Sequence, residues 1–369
     1  MRRKPIRKPH RMTSTIENSE SAGKRIIVSI DTMGGDRGPA AVVAGCSRFA
    51  KKNPDVAFIL HGPKDVLSKL VGRRKSLLER VTIQNADGAV SMTDKPGQVM
   101  RNGKGTSMWN AIDAVKSGDA DVCVSCGNTG ALMALSMLRL RKLPGINRPA
   151  IAVLWPSRNA SGANVMLDVG ADVRADENDL LQYALMGASY MRNGYDIKRP
   201  RIGLLNVGTE DNKGRPELKA AHDLMSINAD VSNFEYVGFV EGNDIPSDKV
   251  DVIVTDGFTG NVALKSAEGT AKLIRELLKE AFNHSLLSRL AALLAYTSLR
   301  RLSGRIDPRQ LNGGVFLGLN GTVVKSHGSA DATSVASAVQ LAFQLGQSGF
   351  DEKLAARVAS AAALNQIDE

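Results

Sequence analysis

The sequence predicts an α/β fold, a parallel-rich sheet with helices on both faces, and three observations predict it. Short β-branched runs alternate with helical spacing along almost the whole chain, which is how parallel βαβ units read. No Pro- or Ser-rich linker divides the body, so any second lobe shares the sheet. Glycine is high, at 35 of 369 residues, and aromatics are only 4%, a composition of many tight backbone turns.

The elements follow in order. Ile26 to Ile30 is the first β-branched run, and helical spacing runs from Pro39 to Lys51. Val56 to Leu60 and Val81 to Gln84 are the next apolar runs of strand length. Asp121 to Ser125 is predicted as a strand leading into a helix from Thr129 to Leu140. Strands over Ala150 to Leu154 and Val165 to Val169 precede a helix over Asn178 to Met191. Arg201 to Asn206 and Asp251 to Thr255 complete the strands, and Ala332 to Leu345 forms a late helix. Residues 271–305 read as an amphipathic helical segment, with apolar side chains at Leu273, Ile274, Leu277 and Leu278 and then at Leu286, Leu287, Leu290, Leu293 and Leu294. A break near Asn283 to Ser285 predicts two helices, the second basic at its ends and leucine-rich between. Three uses fit such a segment: dimer or core packing, contact with anionic headgroups, and docking of an acidic protein. The spacing and charge alone leave all three open.

Charge is unevenly placed. The chain carries a formal +10, of which residues 1–25 hold +6, with eight basic residues against two acids. Residues 281–310 hold the remaining +4, where Arg289, Arg300, Arg301, Arg305 and Arg309 face only Asp307. The rest of the chain sums to zero, and a nucleic-acid protein would spread a basic stripe over its folded body. Residues 1–24 are expected to be a basic, disordered tail without the apolar stretch of a secretory signal; residues 25–369 are expected to form a single catalytic domain. The leucine-rich candidate stretch, Leu290 to Leu299, has ten residues between arginines, where roughly 20 are needed to span a bilayer. Three cysteines make no disulfide framework, which suits a reducing cytosol.

Several chemistries lack their signatures. No G-x-G-x-x-G follows a strand, no H-E-x-x-H or G-x-S-x-G occurs, and the five histidines are scattered without ligand spacing. Neither a metal nor an organic cofactor is expected. Gly97 to Lys104 fails as a phosphate loop, because five residues separate its glycines and Gly105 stands where Ser or Thr is required. Cys123 and Cys126 form a C-x-x-C, but Cys123 lies inside a predicted strand rather than at the opening of a helix, so buried structural thiols are expected.

What remains is six glycine-rich strand ends: Asp31 to Pro39, Ser125 to Gly130, Leu167 to Asp172, Leu205 to Gly214, Thr255 to Lys265 and Lys325 to Asp331. Two of them echo each other, since Asp121–Gly130 and Asp251–Gly260 agree at seven of ten positions with Ser counted for Thr. Ligands in open parallel sheets bind beyond the carboxyl ends of strands, and the amides that open the following helix attract anions. The two echoing corners are therefore expected to share an anion-binding cleft.

These residues resemble the PlsX-type phosphate acyltransferases. The motifs that carry the resemblance are I-D-x-M-G-G-D-x-G-P, S-x-G-N-T-G-A-L-M, L-D-V-G-A, L-L-N-x-G-x-E-x-x-K-G and D-G-F-T-G-N-x-x-L-K, five in the family's order from about Lys24 onward. Cys126 and Asp172 depart from it, replacing a small residue and an Asn. The resemblance implies a fold similar to isopropylmalate dehydrogenases and phosphate acetyltransferases. It also implies transfer of a fatty acyl group from acyl carrier protein to inorganic phosphate, giving acyl phosphate for phospholipid synthesis. A homodimer at the cytoplasmic face of the membrane, feeding a downstream glycerol-3-phosphate acyltransferase and binding no nucleic acid, is implied as well.

The chemistry suits a site without a strong base. Phosphate carries a substantial dianionic fraction at neutral pH and is already nucleophilic, and a thiol with a pKa of about 8.5 leaves without strong acid assistance. Positioning and oxyanion stabilisation then suffice, with no covalent enzyme intermediate. The catalytic candidates are Lys213, Asn261, Lys265 and His327, with Asn261 and Lys265 one helical turn apart. Substrate-binding candidates are Asp31, Gly34, Gly35, Ser125, Gly127, Asn128, Thr129, Gly130, Asp168, Asn206, Thr255, Asp256, Gly257, Thr259 and Gly260. The competing readings are an acyl-CoA phosphate acetyltransferase, a decarboxylating dehydrogenase on the same fold, and a membrane- or nucleic-acid-binding protein acting through its basic segments.

Overall fold

The computed structural model describes residues 25–210, 212–306, 313–350 and 353–356. The expected tail over 1–24 lies outside the described residues, as do Asp307, Arg309 and the side chains of residues 302–306.

The chain opens with β1 (Ile26–Asp31), α1 (Gly38–Ala50), β2 (Val56–Gly62), α2 (Lys64–Gly72) and β3 (Val81–Asn85). Then come α3 (Pro96–Asn102), α4 (Ser107–Lys116), β4 (Val122–Ser125) and α5 (Thr129–Leu140). The middle holds β5 (Ala150–Pro156), β6 (Ala163–Leu167), α6 (Glu177–Tyr195), β7 (Arg201–Leu205), α7 (Pro216–Asn228), β8 (Glu235–Val240) and β9 (Val252–Val254). Last are α8 (Gly257–Asn283), α9 (Leu286–Leu294), α10 (Tyr296–Ile306), β10 (Gly314–Leu317), β11 (Thr322–Lys325) and α11 (Ala332–Ser348).

Eleven strands make one sheet in the order β3-β2-β1-β4-β11-β10-β5-β6-β9-β7-β8. Alternation along each strand feeds two apolar clusters. Val122 and Val124 join the cluster covered by α1, α6 and α11, whereas Cys123 joins the one covered by α4 and α5. Helices on both faces thus follow from side chains that alternate along a doubly buried strand. Close packing is enforced where glycine stands in a helix: a Cβ at Gly45 would lie 2.5 Å from Val335 Cβ, and one at Gly187 would lie 2.5 Å from Val252 Cγ1.

Three strands differ from the sequence expectation. β8, β10 and β11 were not foreseen, because β10 and β11 are four-residue runs between glycines and β8 contains Gly238 at φ +94°. They matter, since β10 and β11 sit in the centre of the sheet between β4 and β5. The pairings β11–β10, β10–β5 and β5–β6 are antiparallel, within a sheet otherwise parallel. The two-helix expectation for 271–305 also needs correction. The break at His284–Ser285 is present and Ser285 caps α9 through the Ser288 amide, but a second break at Ala295 makes three helices. No helix among the described residues is long and apolar enough to cross a membrane.

Candidate active site

The six glycine-rich strand ends fall into two groups of three. β1, β4 and β11 are parallel neighbours whose carboxyl ends carry the loops from Asp31, Ser125 and Lys325. β6, β9 and β7 are a second parallel set, carrying the loops from Asp168, Thr255 and Asn206. The three antiparallel pairings between the sets reverse the strand direction, so the echoing strands β4 and β9 run oppositely with four strands between them. What links the groups is α8: Lys265 is close enough to Lys325 and His327 to repel both.

In the first group Asp31 is the hub. Its carboxylate, 1% exposed, accepts from Ser107 Oγ and Ser125 Oγ at 2.7 Å each and from the Met33 amide at 3.2 Å. Burial raises the Asp31 carboxyl above its usual range, and these donors oppose the rise. The Gly127 amide donates to Ser125 Oγ at 3.0 Å. A Cβ at Gly34 would lie 2.4 Å from Asp31 Oδ2 and 2.6 Å from the Gly127 nitrogen, so only glycine lets the two loops meet. Gly35 packs against Cys126 and the Gly328 carbonyl. The Ser326 and Asp36 amides close the group by donating to Ser125 O and Gly328 O at 2.8 Å. Asn128 caps α5 through the Ala131 amide at 3.0 Å, which leaves Thr129 and Gly130 exposed at the helix start.

In the second group Asp168 plays the same part, fully buried and accepting from the Ile151, Ala171 and Asp172 amides at 2.7–2.9 Å. Burial outweighs these bonds and pushes its carboxyl up to about 6. Asp256 caps α8 through the Thr259 amide at 2.8 Å and hydroxyl at 3.0 Å, and pairs with the Arg215 guanidinium. Gly257 and Gly260 press on Asp168, where added Cβ atoms would come within 2.4 Å of its Oδ2 and 1.9 Å of its carbonyl oxygen. Buried Thr255 returns its amide to Leu167 O at 2.8 Å. Asn206 braces the next loop, accepting from the Val207 amide and donating to Lys213 O at 3.2 Å. Asp31, Asp168, Asp256 and Asn206 are therefore loop braces, their oxygens met by the chain's own donors.

The four catalytic candidates divide between the groups. Lys213 is half exposed and pairs with Glu210 at 2.7 Å, which holds its amine above the usual range. Asn261 is exposed at the start of the second turn of α8, beside Gly170. Lys265 pairs with Glu268 at 2.8 Å. His327 Nδ1 lies 2.9 Å from Ser329 Oγ and accepts from the Ser329 amide at 3.2 Å. Partial burial, then Lys265, lowers its pKa, so the ring is neutral at pH 7 and suits an acceptor better than a proton donor.

Two residues escaped the sequence reading. Lys325 opens a loop singled out for its glycine, yet with β11 unread nothing marked it as the end of a central strand. Arg215 follows Gly214 and precedes the Pro that begins α7, a position with no sequence signal of its pairing; the structure turns it onto Asp256. The thiols of Cys46, Cys123 and Cys126 are buried and free. Burial pushes Cys46 up to about 12 and Cys126 to about 11, so neither supplies a thiolate nucleophile. Among the described residues no cluster of three or more His, Cys, Asp or Glu is placed to hold a metal ion.

Comparison with known proteins gives a consistent picture. Residues 26–353 match the family described as fatty acid synthesis protein. A phosphate acyltransferase of Ruegeria sp. (strain TM1040) is 68% identical over 357 residues, covering 97% of this chain and 95% of that protein. One from Dinoroseobacter shibae is 71% identical over 335 residues, covering 91% and 87%. Among solved structures, a phosphotransacetylase from Streptococcus pyogenes shares the fold with a TM-score of 0.58 at 17% identity, over 88% of this chain and 95% of that one. A 4-hydroxythreonine-4-phosphate dehydrogenase from Klebsiella pneumoniae matches with a TM-score of 0.50 at 13% identity, over 88% and 100%.

Proposed function

The chain belongs to the fatty acid synthesis protein family, and from that premise we propose that it is an acyltransferase moving a fatty acyl group from acyl carrier protein to inorganic phosphate. A phosphate oxygen attacks the thioester carbon, the C–O bond forms, and the C–S bond breaks as the carrier's thiolate leaves. The observation that carries this reading is near full-length identity to relatives named phosphate acyltransferase, on a chain whose strand ends present amides and cations while its buried thiols stay protonated. Those thiols support direct attack by phosphate without a covalent enzyme intermediate.

The corners at Ser125–Gly130 and Thr255–Asn261 hold the reactants through amides and hydroxyls. Lys213 neutralises phosphate after exchanging Glu210 for it, which a solvated surface pair permits. Asn261 hydrogen-bonds the phosphate or the tetrahedral oxyanion. We further propose that the acyl phosphate feeds phospholipid synthesis through a glycerol-3-phosphate acyltransferase, and that α8–α10 mediates dimer packing and peripheral contact with the cytoplasmic membrane. Exposed Leu286, Leu287, Leu293 and Leu294 beside Arg289 favour that use of the arm.

Phosphate-dependent loss of acyl-acyl carrier protein by purified protein, with acyl-CoA as the comparison donor, tests the activity. Lys213→Ala and Asn261→Ala are each expected to lower turnover about 100-fold, as loss of a positioned charge or oxyanion donor does. Turnover near wild type in both would remove these roles.

A further inference from the structure

We propose that Lys325 is the cation on the floor of the site that binds the phosphate, with Lys265 and His327 completing the rim around it. The inference rests on the acyl-to-phosphate reading and adds a residue to it. Lys325 ends β11, in parallel register with Ser125 at the end of β4, so it stands within the first group of glycine corners rather than on the surface. Its amine donates to its neighbour's carbonyl, Ser326 O, and an ammonium has three donors. Among the described residues it makes no ion pair, whereas Lys213 and Lys265 each hold a glutamate.

The surrounding charges leave that position open. Cys126, Asp31 and Asp36 are near enough to Lys325 to favour its charge and Lys265 of α8 is near enough to oppose it, with His327 two residues along the chain. Asp31 is already held by two hydroxyls and an amide, so it does not act as a dedicated partner. Lys325 and Lys265 repel one another until an anion enters, neutral His327 beside them can donate a hydrogen bond to it, and a dianion answers both lysines at once. Burial, which dominates the local effects, brings the Lys325 amine down to about 8. An anion that binds there restores the ammonium, so affinity for phosphate is expected to fall above pH 8 and binding to take up protons.

The experiment compares wild type with Lys325→Met, Lys325→Gln and Lys325→Arg in the acyl-acyl carrier protein assay. Phosphate and donor are varied separately from pH 6.5 to 9, and calorimetry of inorganic phosphate alone is run in two buffers of different ionisation enthalpy. The phosphate KM is expected to rise at least about 10-fold in Lys325→Met, the loss of a hydrogen bond to a charged group. The donor KM should move less than about 2-fold, and the arginine variant should recover most of the phosphate KM. Proton uptake on phosphate binding should be present in wild type and absent in the methionine variant. If Lys325→Met does not fold, the glutamine variant carries the same expectation. An unchanged phosphate KM in whichever neutral variant folds, or proton uptake that survives it, overturns the role of Lys325 while leaving the acyl transfer reading intact. Wild-type protein that transfers no acyl group to phosphate overturns the underlying reading instead.

Discussion

In the corners around Asp31 and Asp168 both carboxylates are met by the chain's own hydroxyl and amide donors, while along the arm from Leu273 to Leu294 no side chain is buried. The corners join polar groups of fixed geometry and admit only glycine at their closest contacts. The arm turns leucines outward, and among the described residues its buried positions are Gly257 and Gly260 at the root of α8. A segment whose apolar face is left uncovered adds little to the chain's own stability. The difference separates what holds the molecule together from what it offers to other surfaces.

The comparison breaks most readily at the corners. Gly260→Ala places a methyl against the Asp168 carbonyl and should cost more than about 3 kcal/mol, beyond ordinary overpacking because the obstruction is backbone. Urea unfolding measures it, and a loss below 1 kcal/mol would mean that the corner is soft. A smaller effect is expected from His61, fully buried on β2 with Nε2 2.9 Å from Ser29 Oγ. Burial lowers its pKa to about 4, below the unfolded value of about 6.5. The folded state therefore binds fewer protons than the unfolded one. The stability this group contributes is present above pH 6.5 and is lost as the pH falls toward 4, by about 2 kcal/mol between pH 7 and 5. His61→Gln should flatten that slope in unfolding titrations at the two pH values; an identical slope would assign the acid sensitivity elsewhere. The smallest change in stability is expected in the arm, where Leu293→Glu with Leu294→Glu should shift unfolding by less than about 0.5 kcal/mol yet release the protein from anionic vesicles in flotation. Unchanged flotation would sink membrane contact, and a large loss of stability would show the arm packed against the body.

Much of this was legible in the residues. The strand Ile26–Ile30 announces itself as a short β-branched run, and the helix Thr129–Leu140 by apolar residues that repeat at the helical period. The glycine corners were legible because close approach leaves few alternatives to glycine. The direction of β9 relative to β4 was not, since it depends on three antiparallel pairings made by distant segments. Lys325 was missed for the same reason: a lysine's meaning lies in its neighbours, and those arrive from β1, β4 and α8.

The central position of β10 and β11 also bears on how the chain assembles. The strands that join β4 to β5 come from residues 314–325, so during synthesis two partial sheets exist before the piece that unites them has been made. Each presents an open edge, at β4 and at β5, for the time needed to make about 160 to 200 further residues, roughly 8 to 40 seconds at about 5–20 residues per second. Such contacts, distant in sequence, form late and slowly, which makes the nascent chain's exposed edges, rather than its finished surface, the place where misassembly begins.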